Sequence, residues 1–143
     1  KLPLKQPSSL ARSIISGMNP YVNSEVPHYF IVINLDPLSE EAILLVSSTS
    51  RPFKVRQRYL NCPEKTLVEV TPAQYPGFSL TSIINCNNVI AETIDSLVNR
   101  LANKELVMKM EMDIRLVEQF REGVLASPEI TGKIKAQLRA KTD

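Results

Sequence analysis

Apolar residues gather in two blocks of this chain, and in both they stop where small polar residues begin. Residues 27–51 read PHYFIVINLDPLSEEAILLVSSTSR, an apolar run, a connection rich in proline and acids, and a second apolar run that ends in Ser47, Ser48, Thr49 and Ser50. Short apolar runs joined by turn residues predict a β-hairpin, with strands over 29–34 and 42–46. Residues 67–95 repeat the scheme: Leu67–Val70 and 82–90 are strand-like, and Tyr75-Pro76-Gly77 makes the turn between them. The four segments are expected in one antiparallel sheet, with Ile31, Ile33, Leu44 and Ile84 on its buried side.

The last third changes period. Leu106, Met110, Ile114, Val117, Phe120 and Val124 recur at helical spacing, which predicts one long helix over 103–126 with Asn103 as its N-cap and that apolar face packed on the sheet or on a partner. Ser127-Pro128-Glu129 then reads as N-cap, first position and acidic first turn of a second helix running to about residue 140. Gly123 and Gly132 weaken these helices locally. Met108, Met110 and Met112 fall on alternating sides, as core filling or as an adaptable docking face. Residues 1–26 read as a proline-bounded arm with a short helix.

Composition narrows the class. The chain has 143 residues, 43% hydrophobic, no tryptophan and a net charge of +2, which is enough for one core and one domain. No apolar stretch approaches the ~18 residues that cross a bilayer. No basic region followed by an apolar stretch opens the sequence, so a cytoplasmic protein is expected. The sequence opens at Lys1 rather than Met, which leaves room for a segment ahead of it. Cys62 and Cys86 are compatible with a disulfide and equally with two unrelated thiols, the latter being the rule in a reducing cytosol. One histidine and two cysteines without C-x-x-C or H-x-x-x-H spacing argue against a zinc site, and no metal or cofactor is expected.

Charge is distributed unevenly. Arg51, Lys54, Arg56 and Arg58 are interleaved with Phe53 and Tyr59, a composition that binds single-stranded RNA when cations meet phosphates and rings stack on bases, or that simply forms a solvated loop. If extended, the stretch would put Lys54, Arg56 and Arg58 on one face as a single rail. Asn85, Asn87 and Asn88 interrupt an apolar strand, which places them at an edge, a bulge or a groove; they read base edges or, more simply, make a polar outer face. His28 is the single histidine, and imidazole is a side chain suited to acid or base work, though a histidine at a strand start also serves as an ordinary surface residue. Thr49 and Ser50 equally suit a site or a strand end closed by side-chain to backbone bonds.

Taken in order, Ile31-Val32-Ile33-Asn34, Leu44-Leu45-Val46, Thr49-Ser50, Leu67-Val68-Glu69-Val70, Ser82-Ile83-Ile84 and Thr93-Ile94-Asp95 resemble the MazF/PemK family of toxin endoribonucleases. The family's Gly-Asp-containing first strand has no recognisable counterpart in residues 1–26, and His28 stands where the family has its catalytic arginine. The resemblance implies an α+β fold, a small, strongly bent antiparallel SH3-like barrel or sheet with a helical C-terminal third. As a single domain over 1–143, it divides into an arm (1–26), a β-rich core (27–95) and C-terminal helices (96–143). It also implies metal-independent cleavage of single-stranded RNA by the ribose 2′-hydroxyl, with His28 as acid or base and Thr49 assisting at the phosphate. Arg51, Lys54, Arg56 and Arg58 would hold the RNA backbone. An antitoxin protein and a second copy in a homodimer are the implied partners. The alternatives are a catalytically silent binding module on the same fold and a structural or regulatory protein of mobile-element origin.

Overall fold

The computed structural model describes residues 14–18, 27–34, 42–49 and 51–139. Six strands, β1 (Ile14–Met18), β2 (Pro27–Val32), β3 (Ile43–Thr49), β4 (Leu67–Val70), β5 (Ser82–Glu92) and β6 (Val107–Lys109), form one sheet in the order β4-β5-β3-β2-β1-β6. Every pairing is antiparallel. Four helices, α1 (Pro52–Arg58), α2 (Ile94–Ala102), α3 (Ile114–Ala126) and α4 (Gly132–Arg139), complete an α+β fold. Among the described residues β4 and β6 are edges, so the sheet is open and not closed into a barrel.

The four expected strands are present in one sheet, and Ile31, Ile33, Leu44 and Ile84 are fully buried. Their neighbours are buried as well, because the sheet is covered on both sides. Ile31, Ile33, Leu44, Val46, Ile84 and Cys86 meet Leu116, Val117, Phe120 and Val124 of α3 and Leu138 of α4. Phe30, Val32, Ile43 and Leu45 alternate to the opposite face and meet Leu97 and Leu101 of α2 with Leu106. Where β2 ends, Asn34 replaces the ladder: its amide nitrogen donates to the Ala42 carbonyl at 2.9 Å, and its oxygen accepts from the Leu44 N–H at 2.6 Å.

The last third departs from the expected pair of helices. In place of one helix over 103–126 there are α2, β6 and α3, and Asn103 caps the C-terminus of α2 instead of starting a helix. Lys104 adopts a left-handed φ of 65°, and the N–H groups of Glu105 and Leu106 return to the Arg100 carbonyl, which closes α2. Helix α3 starts later, where Asp113 accepts from the Arg115 N–H at 2.8 Å. The expected apolar face is therefore divided: Leu106 belongs to the α2 side, Val117 to the α3 side, and Met110 and Ile114 are exposed. Ser127 ends α3, and α4 begins only at Gly132, with Thr131 capping it through its bond from the Ile134 N–H at 3.5 Å. Residues 14–18, inside the expected arm, form a strand and not a helix; residues 1–13 and 19–26 lie outside the described residues.

Gly123 lets α3 approach the sheet. A Cβ there would fall 2.7 Å from the Lys65 carbonyl oxygen and 2.9 Å from the Cys86 sulfur, whereas one on Gly132 would meet nothing within 4 Å. Gly123→Ala is expected to destabilise the protein by about 1–3 kcal/mol, the usual effect of overpacking. Gly132→Ala should cause no loss, and denaturant unfolding of the two variants measures the contrast.

Both cysteines are free thiols, Cys62 half-buried and Cys86 buried. Burial pushes the Cys86 thiol up to about 12 from 9.0. An unfolded chain releases this proton above its ordinary value while the folded chain holds it, so stability should fall as pH rises from about 9 to about 12. Alkaline unfolding curves should lose part of that slope in Cys86→Ala, and a thiol reagent should label Cys62 in the native protein and Cys86 only on unfolding.

Candidate functional site

One end of the sheet carries the polar side chains that the two covered faces exclude. Here β2 begins, β3 ends and β5 begins, since antiparallel neighbours bring these termini together. The β2–β3 register pairs Phe30 with Ser47; continued outward by two residues, it sets His28 opposite Thr49. Both line a concavity of about 270 Å³, with Tyr29 and Ser48 beside them and the loop 78–82 as the far wall. His28, Tyr29 and Thr49 are half-buried, so the site is partly open to solvent.

Hydrogen bonds fix several of these groups. The Thr49 hydroxyl oxygen accepts from the Arg51 N–H at 3.0 Å, which turns the chain from β3 into α1 and leaves the hydroxyl proton able to donate. Ser48 accepts from the Tyr29 N–H at 3.4 Å, and the Ser82 hydroxyl donates to the Leu80 carbonyl at 3.2 Å. The wall is aromatic beneath: Phe78 sits edge-on to Tyr29, ring centres 5.1 Å apart, and to Tyr75 at 4.9 Å. Tyr75 is anchored by its hydroxyl, which donates to the Met110 carbonyl at 2.7 Å. Burial, with the nearby Tyr29 adding to it, raises the Tyr75 phenol above its ordinary value.

A second groove of about 660 Å³ shares Thr49 with the first and is lined by Arg51, Lys54, Arg58, Tyr59, Asn85 and Asn88. Residues 52–58 are helical, not extended, so the expected rail of Lys54, Arg56 and Arg58 does not form. Lys54 and Arg58, four apart, share a face of α1 with Arg51 ahead of them. Arg56 points elsewhere and pairs with Glu69 of β4 at 2.6 Å. No acid pairs with Arg51, Lys54 or Arg58 among the described residues. The Arg58 guanidinium carbon lies 5.6 Å from the Tyr59 ring centre, within cation–π range.

The asparagines separate through a bulge. The β3–β5 register runs from Leu45↔Ile90 to Ser47↔Asn85, so β5 carries three more residues than β3 across this stretch. Asn87 turns inward, donating to Thr66 at 3.0 Å and accepting from Ser127 at 2.7 Å, and it is buried. Asn85 and Asn88 reach the groove. Ser50, named beside Thr49 as a candidate, lies outside the described residues.

Thus His28 and Thr49 come together, Arg51, Lys54 and Arg58 adjoin them, and Arg56 does not. Tyr29, Ser48 and Ser82 were not among the candidates read from the sequence; the signals for them were the hydroxyl run Ser47-Ser48-Thr49-Ser50 and the polar stretch Ser79-Leu80-Thr81-Ser82 ahead of a strand. Among the described residues no three His, Cys, Asp or Glu side chains gather to hold a metal ion. No described helix is long and apolar enough to cross a membrane. No protein-family model matches the chain, and no curated protein matches it significantly.

The aromatic wall generates a test. A Cβ on Gly77 would fall 2.4 Å from Tyr75 Cε2, and Tyr75 is held at its hydroxyl. Gly77→Ala is expected to displace the Tyr75, Phe78 and Tyr29 rings, changing the near-ultraviolet circular dichroism and lowering stability by about 1–3 kcal/mol.

Proposed function

We propose that the chain is an endoribonuclease of the MazF/PemK type that cuts single-stranded RNA without a metal. One observation carries this reading: Thr49 belongs both to the concavity holding His28 and to the groove lined by three cations that no acid among the described residues pairs. A phosphodiester needs that combination, because the charge on its non-bridging oxygens requires cations while its cleavage requires proton transfer at O2′ and O5′ around the same phosphorus. The finer fold assignment, an SH3-like core of the MazF/PemK type, belongs to the same proposal. In its support, β1 supplies a strand ahead of β2, where the sequence offered no recognisable counterpart.

In this mechanism the ribose O2′ attacks its own phosphorus, the P–O5′ bond breaks, and the products are a 2′,3′-cyclic phosphate and a free 5′-hydroxyl. His28 either takes the 2′-proton as base or delivers a proton to O5′ as acid, with water completing the other transfer. Thr49 donates its hydroxyl proton to a non-bridging oxygen, since its lone pair is already directed at the Arg51 N–H. Arg51, Lys54 and Arg58 hold the RNA backbone, and Arg56 is left to its Glu69 pair. A cytoplasmic location, an antitoxin and a homodimer go with this reading.

A second reading, a catalytically silent binding module acting through protein contacts, draws on apolar side chains that stand exposed on α1 and at the rim of the His28 concavity. Phe53 of α1 is 74% exposed, and Leu80, at the rim of the His28 concavity, 77%. Apolar groups so placed suit a protein partner.

His28→Ala should leave the fold intact and reduce RNA cleavage about 10²-fold to 10⁴-fold, the range of general acid–base catalysis. Thr49→Ala should cost less, and chelator should have no effect. Replacing Lys54 and Arg58 by Ala should weaken single-stranded RNA binding and reduce its salt slope by roughly 0.7 for each lost phosphate contact, while Arg56→Ala leaves the slope unchanged. If the purified protein leaves a broad panel of single-stranded RNAs uncut, with or without divalent metal, the nuclease reading fails and the binding module replaces it.

A further inference from the structure

The two edges of the sheet are finished differently. Among the described residues β6 has β1 on one flank and no strand on the other, so its outward N–H and C=O groups form a template for a further strand. At the opposite edge, β4 is blunted by its own chain: the Leu67 N–H returns to the Glu64 carbonyl, and just past the strand the Thr71 N–H donates to the Gln74 side chain at 2.9 Å. Free edges are commonly protected by charge, yet β6 exposes Val107 at 50%, and Met110 directly after it at 54%.

The charges at β6 are matched only in part. Arg100 is shared by two acids, Glu92 at 3.3 Å and Glu105 at 2.9 Å, so the exposed Glu105, just ahead of the strand, is incompletely compensated. Lys109, exposed at the end of the strand, pairs with no acid among the described residues. Two copies of β6 running antiparallel about a two-fold axis satisfy both groups. With Val107 opposite itself, Glu105 of each copy stands beside Lys109 of the other, and Leu106 faces Met108 on the side of the α2 cluster. A pairing centred on Lys109 would oppose two lysines, and one centred on Met108 would oppose Glu105 to Glu111.

We propose that the free edge of β6 is the docking surface for a second copy of this chain, paired as an antiparallel strand centred on Val107 with a Glu105–Lys109 ion pair at each end. A two-fold contact uses the same patch twice, so an edge that complements itself closes into a dimer and leaves no edge for a third copy. The sheet then runs on through the contact, and the two Val107 side chains cover each other. The second copy is the one carried by the reading above, on which the proposal rests for the expectation of a homodimer; the surface follows from β6 alone. The Met110 carbonyl that anchors Tyr75 comes directly after this strand, so the contact adjoins the support of the aromatic wall beside His28.

The test is sedimentation velocity of the intact protein over a range of concentrations. Wild type should sediment at twice the chain mass. Lys109→Glu and Glu105→Lys should each weaken self-association roughly tenfold or more, since each turns two attractive cross-strand pairs into two repulsive ones. Mixed in equal amounts, the two variants should form a dimer again, because every pair across the mixed contact is of opposite sign; that recovery also shows that both variants are folded. Val107→Lys should abolish the dimer while leaving far-ultraviolet circular dichroism unchanged. A monomeric wild type overturns the surface and the homodimer together. A dimer that survives either charge reversal or Val107→Lys, or that mixing the reversed variants fails to restore, overturns the surface and leaves the homodimer standing. Neither result depends on RNA cleavage, which judges the nuclease reading separately.

Discussion

Burial of the central strands on both faces is the constraint from which the rest of the molecule follows. Ile43, Leu44, Leu45 and Val46 are consecutive and buried, so neither side of β3 can be left to water. Each such side chain contributes about 1.5–3 kcal/mol when removed from solvent. One layer of helices cannot supply that, so α3 and α4 cover one face while α2 and Leu106 cover the other. With both faces closed, the polar side chains of β2 and β3 gather where those two strands meet their ends. That is why His28, Ser48 and Thr49 collect at one end of the sheet.

The close approach of α3 depends on a second set of contacts. Gly123 clears the space that a side chain would take beside Cys86, and the buried Arg121 guanidinium donates to the Ile33 carbonyl at 2.7 Å. The bulge in β5 is held from the same side, by Asn87 between Thr66 and Ser127. A buried amide with both ends satisfied stabilises one geometry, because any shift leaves a donor or acceptor without a partner. The bulge thus links helix packing on one face to the position of Asn85 and Asn88 on the other.

Helix α1 turns a run of charges into a directional surface. Arg51, Lys54 and Arg58 face Thr49 and the asparagines, and Arg56 is diverted to Glu69. The Arg56–Glu69 pair is exposed on both sides, so it contributes little stability. Its effect is on charge placement, since it removes one cation from a cluster that repels itself. Positive charge that no described acid pairs is thereby concentrated beside the Thr49 hydroxyl, and such charge is costly to assemble.

Much of the β framework was legible from the chain alone. Leu67–Val70 and the start of β5 at Ser82 coincide with the apolar runs, because apolar runs and turn residues act locally, whereas β3 continues past its expected end at Val46 to Thr49, since pairing with β5 holds Ser47 to Thr49 in the ladder. The burial of Ile31, Ile33, Leu44 and Ile84 followed from the same pattern. His28 and Thr49 were legible as candidates, and the pairing of β2 with β3 brought them together. The last third was not legible, since helical spacing over 103–126 cannot reveal that Leu106 and Val117 are claimed by opposite faces of the sheet. Neither were the helix in the basic stretch, the diversion of Arg56 and the recruitment of Asn85 and Asn88. Periodicity records which residues avoid water, a property of each side chain; which cation finds an acid, and which amide faces a groove, depends on neighbours that only folding brings within reach.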